Sequence, residues 1–209
     1  MEAIDGKEIR MINHLQEQKQ LIRRQMREKI RSQSVIDKKE SSIKCIGHLE
    51  SLKEWTMATR IFGYAPMPSE MDIWPALISA QKSGKEVCLP RFRSDIDGYE
   101  FCLVRDLEKD TVPGILGIRE PLPHCENCLT NRLDLILIPG IAFDRHGRRL
   151  GRGKGYYDRL LANKAGVKCG IAFDYQICDA LPVEPHDCIL DCILTPTRWF
   201  VAGHETVFK

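Results

Sequence analysis

One almost uninterrupted apolar run, "LDLILIPG" at residues 133–140, constrains the fold of this chain more than any other feature. Its only charged residue, Asp134, stands near its beginning. Apolar residues at successive positions, rather than at alternate ones, are typical of a strand that is buried on both faces. A sheet that contains such a strand needs covering layers on both sides. The run therefore predicts the central strand of a layered α/β domain.

Helix-like and strand-like segments alternate along the rest of the chain. Residues 8–31 and 32–52 have the spacing of amphipathic helices, and residues 69–84 are typical of a capped helix that ends at Gly84. The segments "RIFGYAPM", "EVCLPRF", "YEFCLVR", "VKCGIAF" and "CILDCILT" have the composition of strands. This order predicts an α/β fold over residues 1–209: a single three-layer α/β/α domain with a mostly parallel, Rossmann-like open sheet.

The charge balance argues against a polyanion as the main partner. The 31 Lys and Arg residues and 29 Asp and Glu residues give a formal net charge of +2. A value so close to neutral does not support bulk electrostatic binding to nucleic acid or to a membrane surface. The chain has no apolar run as long as a membrane span and no apolar segment typical of a secretory signal, so we expect a cytoplasmic protein.

Nine cysteines leave two interpretations open. His124, Cys125 and Cys128 in "HCENC", together with Cys188 and Cys192 in "CILDC", have some of the residues of a zinc site. However, structural zinc sites usually pair two tight ligand turns, and a CxxC beside a CxxxC on a strand-like run is irregular. The favoured interpretation is free thiols, most of them buried, in a reducing compartment.

A basic, glycine-rich segment, "GRRLGRGKGYYDRLL" at residues 147–161, follows the central strand. Three glycines alternate with two basic residues in the order Gly151, Arg152, Gly153, Lys154 and Gly155. Glycines let the backbone approach an anion, and the start of the next helix adds unpaired N–H groups. Arg149, Arg152 and Lys154 can neutralise phosphate oxygens. The segment therefore predicts a nucleotide phosphate site, and the alternative is a flexible turn with solvated basic residues.

Asp158 sharpens this prediction. A carboxylate in the first helical turn interacts favourably with the helix dipole, but it would repel a phosphate bound at the same place. A divalent cation between the two groups removes the conflict, which points to Mg²⁺ with Asp158 as a ligand. The segment is not a Walker A loop, because Lys154 is followed by glycine, and it is not a GxGxxG fingerprint, because Tyr156 stands where the third glycine would be.

Residues 139–161, "PGIAFDRHGRRLGRGKGYYDRLL", closely resemble the signature of the 5-formyltetrahydrofolate cyclo-ligase family. The resemblance extends to "KQLIRR" at 19–24, to "YAPMPSEMD" after the first predicted strand, and to "LPR", "GIREP" and "LPVEPHDCILD" further on. Residues 1–18 match nothing in the family pattern and are predicted to be a variable N-terminal extension.

The resemblance implies a set of site residues. ATP would be bound by Lys19, Gln20, Leu21, Ile22, Arg23, Arg149, Leu150, Gly151, Arg152, Gly153, Lys154, Gly155, Tyr156 and Tyr157. The folate would contact Ala65, Met67, Glu70, Arg152, Gly153, Lys154, Gly155 and Tyr156. Asp158 and Asp187 would hold Mg²⁺, and the catalytic residues would be Lys19, Arg149, Arg152 and Lys154. Without the resemblance, Ser69 and Asp72 could form a capping box beside Glu70, and Asp187 would be an ordinary turn residue.

The implied reaction is the ATP- and Mg²⁺-dependent cyclisation of 5-formyltetrahydrofolate to 5,10-methenyltetrahydrofolate, with release of ADP and phosphate. The expected partners are these small molecules, with no nucleic acid and no membrane, and the expected state is a monomer. One alternative is an ATP-binding paralogue of the same fold that acts on another substrate. The other is a nucleic-acid-binding module built on Arg23, Arg24, Arg27 and Lys29, but Glu28 interrupts that charge and no nucleic-acid-binding motif is present.

Overall fold

The computed structural model describes residues 6–114, 117–128, 132–162, 164–184, 187–201 and 204–208. The helices are α1 (Gly6–Ser32), α2 (Val35–Ser51), α3 (Lys53–Met57), α4 (Trp74–Lys82) and α5 (Tyr156–Leu161). The strands are β1 (Arg60–Phe62), β2 (Glu86–Arg93), β3 (Gly98–Val104), β4 (Thr111–Pro113), β5 (Arg119–Pro121), β6 (Arg132–Pro139), β7 (Ala142–Asp144), β8 (Arg149–Leu150), β9 (Ala165–Ile171), β10 (Ile177–Cys178), β11 (Cys192–Leu194), β12 (Arg198–Val201) and β13 (His204–Val207).

Eight of these strands form one sheet in the order β13-β12-β11-β9-β6-β1-β2-β3. The four inner pairs, from β11 to β2, are parallel, and antiparallel pairs occur only towards the two edges. Two small sheets, β10-β7-β8 and β4-β5, stand apart from it. The prediction of a mostly parallel sheet is confirmed.

Strand β6 lies in the middle of the large sheet, as its apolar run predicts. Leu135 and Leu137 pack on one face with residues of α2, α3 and α4, while Ile136 and Ile138 pack on the other face with Leu161 of α5. Each of these four side chains is at most 1% exposed. Truncating one of them to alanine would cost about 2–5 kcal/mol of stability, so this strand anchors both layers.

Local boundaries differ from the sequence predictions in three places. Helix α4 begins at Trp74 rather than near residue 69; its N-cap is Ile73, and Asp72 Oδ1 accepts from the Trp74 N–H at 3.0 Å. Helix α5 ends at Leu161. The predicted strand "CILDCILT" is regular only at Cys192–Leu194, because the preceding Leu190 bonds through its N–H to the Gly147 carbonyl, outside the large sheet.

The hairpin of β7 and β8 carries the glycine-rich segment to its position. Asp144, which is fully buried, accepts hydrogen bonds from the backbone N–H groups of His146, Arg148 and Leu181. A carboxylate with several N–H donors can remain buried. Helix α1 packs its Met26 and Ile30 against this hairpin. The earlier part of α1 is thereby held beside the glycine-rich segment.

Candidate active site

A cavity of about 390 Å³ opens between α1, the loop after β1, the glycine-rich segment and the chain near residue 187. It lies beyond the carboxyl ends of β1 and β6, where parallel α/β sheets usually bind ligands. Its volume is within the range of small-molecule sites. Glycines and basic residues form one part of the wall, and aromatic and acidic residues form much of the rest.

Lys19 of α1 is held by two carboxylates on the cavity wall. Its Nζ donates to Glu184 Oε2 and to Asp187 Oδ2, both at 2.7 Å, and the residue is 4% exposed. Gln16, one turn earlier, donates to the other oxygen of Glu184 at 3.0 Å. Two counter-charges compensate the burial of one ammonium. Helix α1 is therefore joined at the cavity to the segment that contains Glu184 and Asp187.

Arg23 lies on the same face of α1 as Lys19 and reaches the glycine-rich segment. Its Nε donates to the carbonyl of Gly151 at 2.9 Å. Burial, and next the positive charge of Arg27, lower the pKa of the Arg23 guanidinium. The negative charges of Asp187 and Glu184, which also line the cavity, act in the opposite direction on the pKa of Arg23.

The glycine-rich segment turns through conformations that favour glycine. Gly153 has φ of +103° and Gly155 has φ of +64°, and Gly155 is the N-cap of α5. A Cβ at Gly153 would lie 3.5 Å from the Arg23 guanidinium carbon. Helix α5 contains only six residues, so its dipole contributes less than a full-length helix would. The side chains of the segment therefore carry most of its positive potential.

Arg149 combines an ion pair with an unsatisfied donor. Its Nη2 donates to Asp158 Oδ1 at 2.8 Å, and its side chain is 3% exposed. Its Nε has no hydrogen-bond partner among the residues described, although buried donors are normally paired. The Arg149 guanidinium, which also lines the cavity, contributes positive charge to its wall.

Arg152 bridges the two sides of the cavity. Its Nη2 donates to Ser69 Oγ and to Glu70 Oε1, both at 2.9 Å. The other oxygen of Glu70 accepts from the backbone N–H of Met67 at 3.0 Å. Ser69 and Glu70 therefore do not begin a helix, and the capping-box alternative for this segment is wrong.

Aromatic residues form the part of the cavity wall next to Lys154. The rings of Tyr99 and Tyr156 meet edge to face at 5.2 Å between centroids, and Phe92 packs against both. Lys154 Nζ lies 5.5 Å from the Tyr156 ring centroid, within the range of a cation–π contact. Such a wall suits a flat aromatic or partly saturated ring.

Glu120 adds a second carboxylate to this aromatic side. Burial raises the pKa of Glu120, and a hydrogen bond from the backbone N–H of Phe92 opposes that effect. Glu70 is tied to Arg152, whereas Glu120 pairs with no cation among the described residues. A carboxylate in this setting can accept N–H donors from a ligand.

The structure brings most of the predicted site residues to the cavity wall, namely Lys19, Arg23, Ala65, Met67, Glu70, every residue from 149 to 158, and Asp187. Gln20, Leu21 and Ile22 do not line it. The helical period places Lys19 and Arg23 on the inner face of α1, while Leu21 is 55% exposed and Ile22 packs beside the cluster of Met26.

Several wall residues were not predicted from the sequence, among them Gln16, Tyr64, Tyr99, Glu120 and Glu184. Gln16 precedes Lys19 by three residues, one helical turn, and Glu184 precedes Asp187 by three. Glu120 lies within "GIREP", a segment that marked the family without indicating a role. Helical spacing could have identified Gln16, but no local pattern points to Glu184.

Asp158 and Asp187 are the candidate ligands for a cation. Both line the cavity, and both supply the carboxylate oxygens that Mg²⁺ prefers. Asp158 is paired with Arg149 and Asp187 with Lys19. The donor set therefore fits Mg²⁺ in its chemistry. Each carboxylate also lies beside a positively charged side chain, Arg149 or Lys19, that can turn towards a phosphate.

The two cysteine motifs do not form a joint zinc site. Cys128 of the first motif contacts the thiol of Cys88, whereas Cys192 of the second contacts Cys169 on the neighbouring strand β9. None of the nine cysteines, all of which lie in the described parts of the chain, forms a disulfide, and six of them are buried. The preferred interpretation of free, mostly buried thiols agrees with the structure.

Comparisons with known proteins agree on one family. The model of the 5-formyltetrahydrofolate cyclo-ligase family matches residues 15–196. The chain is 37% identical over 169 residues to the 5-formyltetrahydrofolate cyclo-ligase of Mycolicibacterium smegmatis, which covers 75% of this chain and 86% of that one. It is 34% identical over 146 residues to the Escherichia coli K12 protein of the same name, covering 68% and 80% of the two chains.

A solved structure is similar over nearly the whole length. The 5,10-methenyltetrahydrofolate synthetase of Aquifex aeolicus superposes with a TM-score of 0.80 at 30% sequence identity. The match covers 91% of this chain and 96% of that one.

Proposed function

This chain belongs to the 5-formyltetrahydrofolate cyclo-ligase family, and from that premise we propose that it converts 5-formyltetrahydrofolate into 5,10-methenyltetrahydrofolate with ATP as co-substrate. The observation that supports this proposal best is the two-sided cavity. Its basic, glycine-rich wall suits a nucleotide phosphate chain, and its aromatic and acidic wall suits a pterin.

The chemistry explains why both kinds of wall belong to one cavity. An N-formyl group is amide-like, so its carbon is a poor electrophile and its oxygen a poor leaving group. Transfer of the γ-phosphoryl group to the formyl oxygen releases ADP and activates the carbon. N10 of the folate then attacks that carbon, loses its proton to solvent, and phosphate leaves with the former formyl oxygen. No side chain needs to act as a nucleophile.

The protein's task is therefore to align the reactants and to neutralise charge. We propose that Lys19, Arg149, Arg152 and Lys154 perform this task, with Arg23 holding the glycine-rich backbone in place. Arg149 supports this role because its guanidinium lines the cavity beside the glycine-rich segment. Preorganised donors of this kind are worth about 10²–10³ in turnover when they face developing charge.

We further propose that Asp158 and Asp187 hold Mg²⁺. When bound, the ion would neutralise charge on the phosphate oxygens. Arg149 and Lys19 keep the two carboxylates at the cavity wall by pairing with them. Glu184 shares Lys19 with Asp187 and so helps to hold that lysine in place.

On the folate side, we propose that Glu120 accepts N–H groups of the pterin. The ring nitrogen and amino group of a pterin are donors in a plane, which a carboxylate can bind in pairs. Glu120 is the better placed carboxylate for this role, because Arg152 and the Met67 N–H already occupy the two oxygens of Glu70. The resemblance-based contact between Glu70 and the folate stays a prediction.

Location and assembly remain predictions. Across the described parts of the chain, no helix combines the length and apolar character needed to cross a bilayer. The cytoplasmic location and monomeric state follow only from the sequence arguments.

The reaction is tested with purified protein, 5-formyltetrahydrofolate, ATP and Mg²⁺. We expect growth of the near-ultraviolet absorbance of the methenyl product, and we expect none when ATP or Mg²⁺ is omitted. Folded protein that binds ATP but gives a flat trace would support the alternative of a paralogue with another substrate.

A further inference from the structure

A group of metal-binding side chains lies outside the cavity, on the hairpin of β4 and β5 and the loop that follows it. It consists of Asp110, just before β4, and His124 and Cys125, shortly after β5. Their ligand atoms all lie within 4.8 Å of one another. Within the described parts of the chain, this is the only group of three or more such donors that meets that distance.

The fold brings these three residues together from two segments. Thr111 pairs with Pro121 across the hairpin, and the N–H of Leu122 donates to the Asp110 carbonyl at 2.8 Å. Arg91 donates to the carbonyls of Leu122 and Cys125 at 2.9 and 3.2 Å, which fixes the loop from the side of the large sheet. The approach of the two segments is therefore part of the hydrogen-bonded structure.

The side chains of His124 and Cys125 both contact Asp110. His124 Nε2 lies 3.2 Å from Asp110 Oδ1, and the Cys125 thiol lies close enough to donate to the Asp110 carbonyl at 3.5 Å. The other carboxylate oxygen, Asp110 Oδ2, accepts from the N–H of Asp106 at 2.9 Å. This second bond orients the carboxylate, as outer-shell bonds commonly do for metal ligands.

The donor set selects a kind of ion. One imidazole nitrogen, one sulfur and one carboxylate oxygen suit a borderline-soft cation, whereas Mg²⁺ and Ca²⁺ favour oxygen alone. The His124 side chain is 64% exposed, so solvent can reach the group and supply a fourth ligand. We propose that Asp110, His124 and Cys125 bind Zn²⁺ with water in the fourth position, and that the ion clips the loop after β5 to the start of β4.

Cobalt is the sharpest probe, because a Co²⁺–thiolate bond produces charge-transfer absorbance that carboxylate ligands cannot produce. Protein stripped with a chelator is titrated with Co²⁺ and then with Zn²⁺, which should displace it. We expect one equivalent of thiolate-bound Co²⁺ and a rise in Tm with Zn²⁺. The absorbance separates this site from the carboxylates of the cavity.

Three variants assign the site. Cys125→Ser should abolish the charge-transfer band, and His124→Ala should weaken Co²⁺ binding by at least about tenfold. Cys128→Ser, three residues further along the same loop, is the matched control and should retain the band. Because His124 is exposed and lies outside the cavity, His124→Ala should keep full cyclo-ligase turnover, which checks its fold. A wild-type protein without the band, or a band that survives in Cys125→Ser, would overturn the proposal.

Discussion

Arg149 Nη2 lies 2.8 Å from Asp158 Oδ1, on a cavity wall where the arginine is almost fully buried. The pair holds a carboxylate and a guanidinium side by side at the proposed phosphate site. Its two members have opposite relations to a nucleotide, because the arginine attracts phosphate and the aspartate attracts the cation that accompanies it.

The Asp158→Asn variant distinguishes cation binding by the aspartate from phosphate binding by the arginine. We expect turnover to fall by about 100-fold and the Mg²⁺ concentration needed for half-maximal rate to rise, since a metal ligand loses its charge. Binding of ATP without Mg²⁺ should not weaken, because removing a negative charge does not repel phosphate. Steady-state rates and ATP titrations measure both quantities. Asp179→Asn, at an exposed aspartate, is the control, and a wild-type Mg²⁺ dependence in Asp158→Asn would contradict the metal assignment.

Lys19→Met tests the buried charge cluster. It leaves Glu184 and Asp187 beside each other without their shared cation, so we expect a loss of about 3 kcal/mol in the free energy of unfolding. Chemical denaturation measures this value. Lys29→Met, at an exposed lysine on the same helix, should change stability by less than about 0.5 kcal/mol. Adding Glu184→Gln to Lys19→Met should restore part of the loss, and no recovery would argue against the charge explanation.

The Glu120→Ala substitution should weaken the binding of the folate and leave the binding of the nucleotide unaffected. We expect the KM for 5-formyltetrahydrofolate to rise by about tenfold, equivalent to one lost hydrogen bond to a charged group, while the KM for ATP stays the same. Glu120→Gln, which keeps an acceptor oxygen, should lie between the wild type and alanine. Glu108→Ala, at an exposed position, serves as the control. Equal effects on both KM values would show that Glu120 does not contact the pterin selectively.

The same carboxyl group gives a pH-dependent prediction for the free protein. Burial raises the pKa of Glu120 above its ordinary 4.5, so the folded state binds its proton more tightly than the unfolded state does. This group therefore favours folding most at low pH, and its contribution is lost as pH rises through the folded pKa. Glu120→Gln should accordingly raise Tm at neutral pH, with the gain shrinking towards pH 4. A gain that grows on acidification would reverse the sign and contradict the assignment.

Gly153→Ala tests the backbone of the glycine-rich segment. Alanine at φ of +103° is strained by about 1–3 kcal/mol, and its Cβ would contact the Arg23 guanidinium. We expect a higher KM for ATP, since the loop must shift away from the nucleotide. The control is Gly47→Ala in α2. The new Cβ there has no neighbour within 4 Å, so this substitution should slightly stabilise the protein. A wild-type KM for ATP in Gly153→Ala would mean that the loop conformation is not needed for binding.

The sequence predicted the parts of this molecule that repeat or cluster locally. The apolar run of β6 identifies a central strand because burial on both faces leaves no polar position. The glycine-rich segment identifies one wall of the cavity because its residues are contiguous. Asp187 entered through the resemblance alone, and its neighbour Glu184 was missed, because only the folded chain shows that both carboxylates meet Lys19.

The sequence gives residue types without the directions of their side chains. Gln20, Leu21 and Ile22 do not line the cavity, because the helical period turns them away from it, and their contact with ATP stays a prediction. Ile43 of α2 has the spacing expected of a buried position and is 62% exposed, while the neighbouring Ser42 is buried and bonds to Lys38 and Asp72. The group of Asp110, His124 and Cys125 has no periodicity at all, because a hairpin between distant positions assembles it.

The contact between Lys19 and Asp187 spans 168 positions of the sequence. At a synthesis rate of about 5–20 residues per second, the ribosome needs roughly 8–34 seconds to make the intervening chain. During that time α1 carries an ammonium that has neither of its two carboxylate partners. The cavity wall is thus completed only after Asp187 has been synthesised, so a nascent chain that stops short of this residue cannot bind its substrates through this wall.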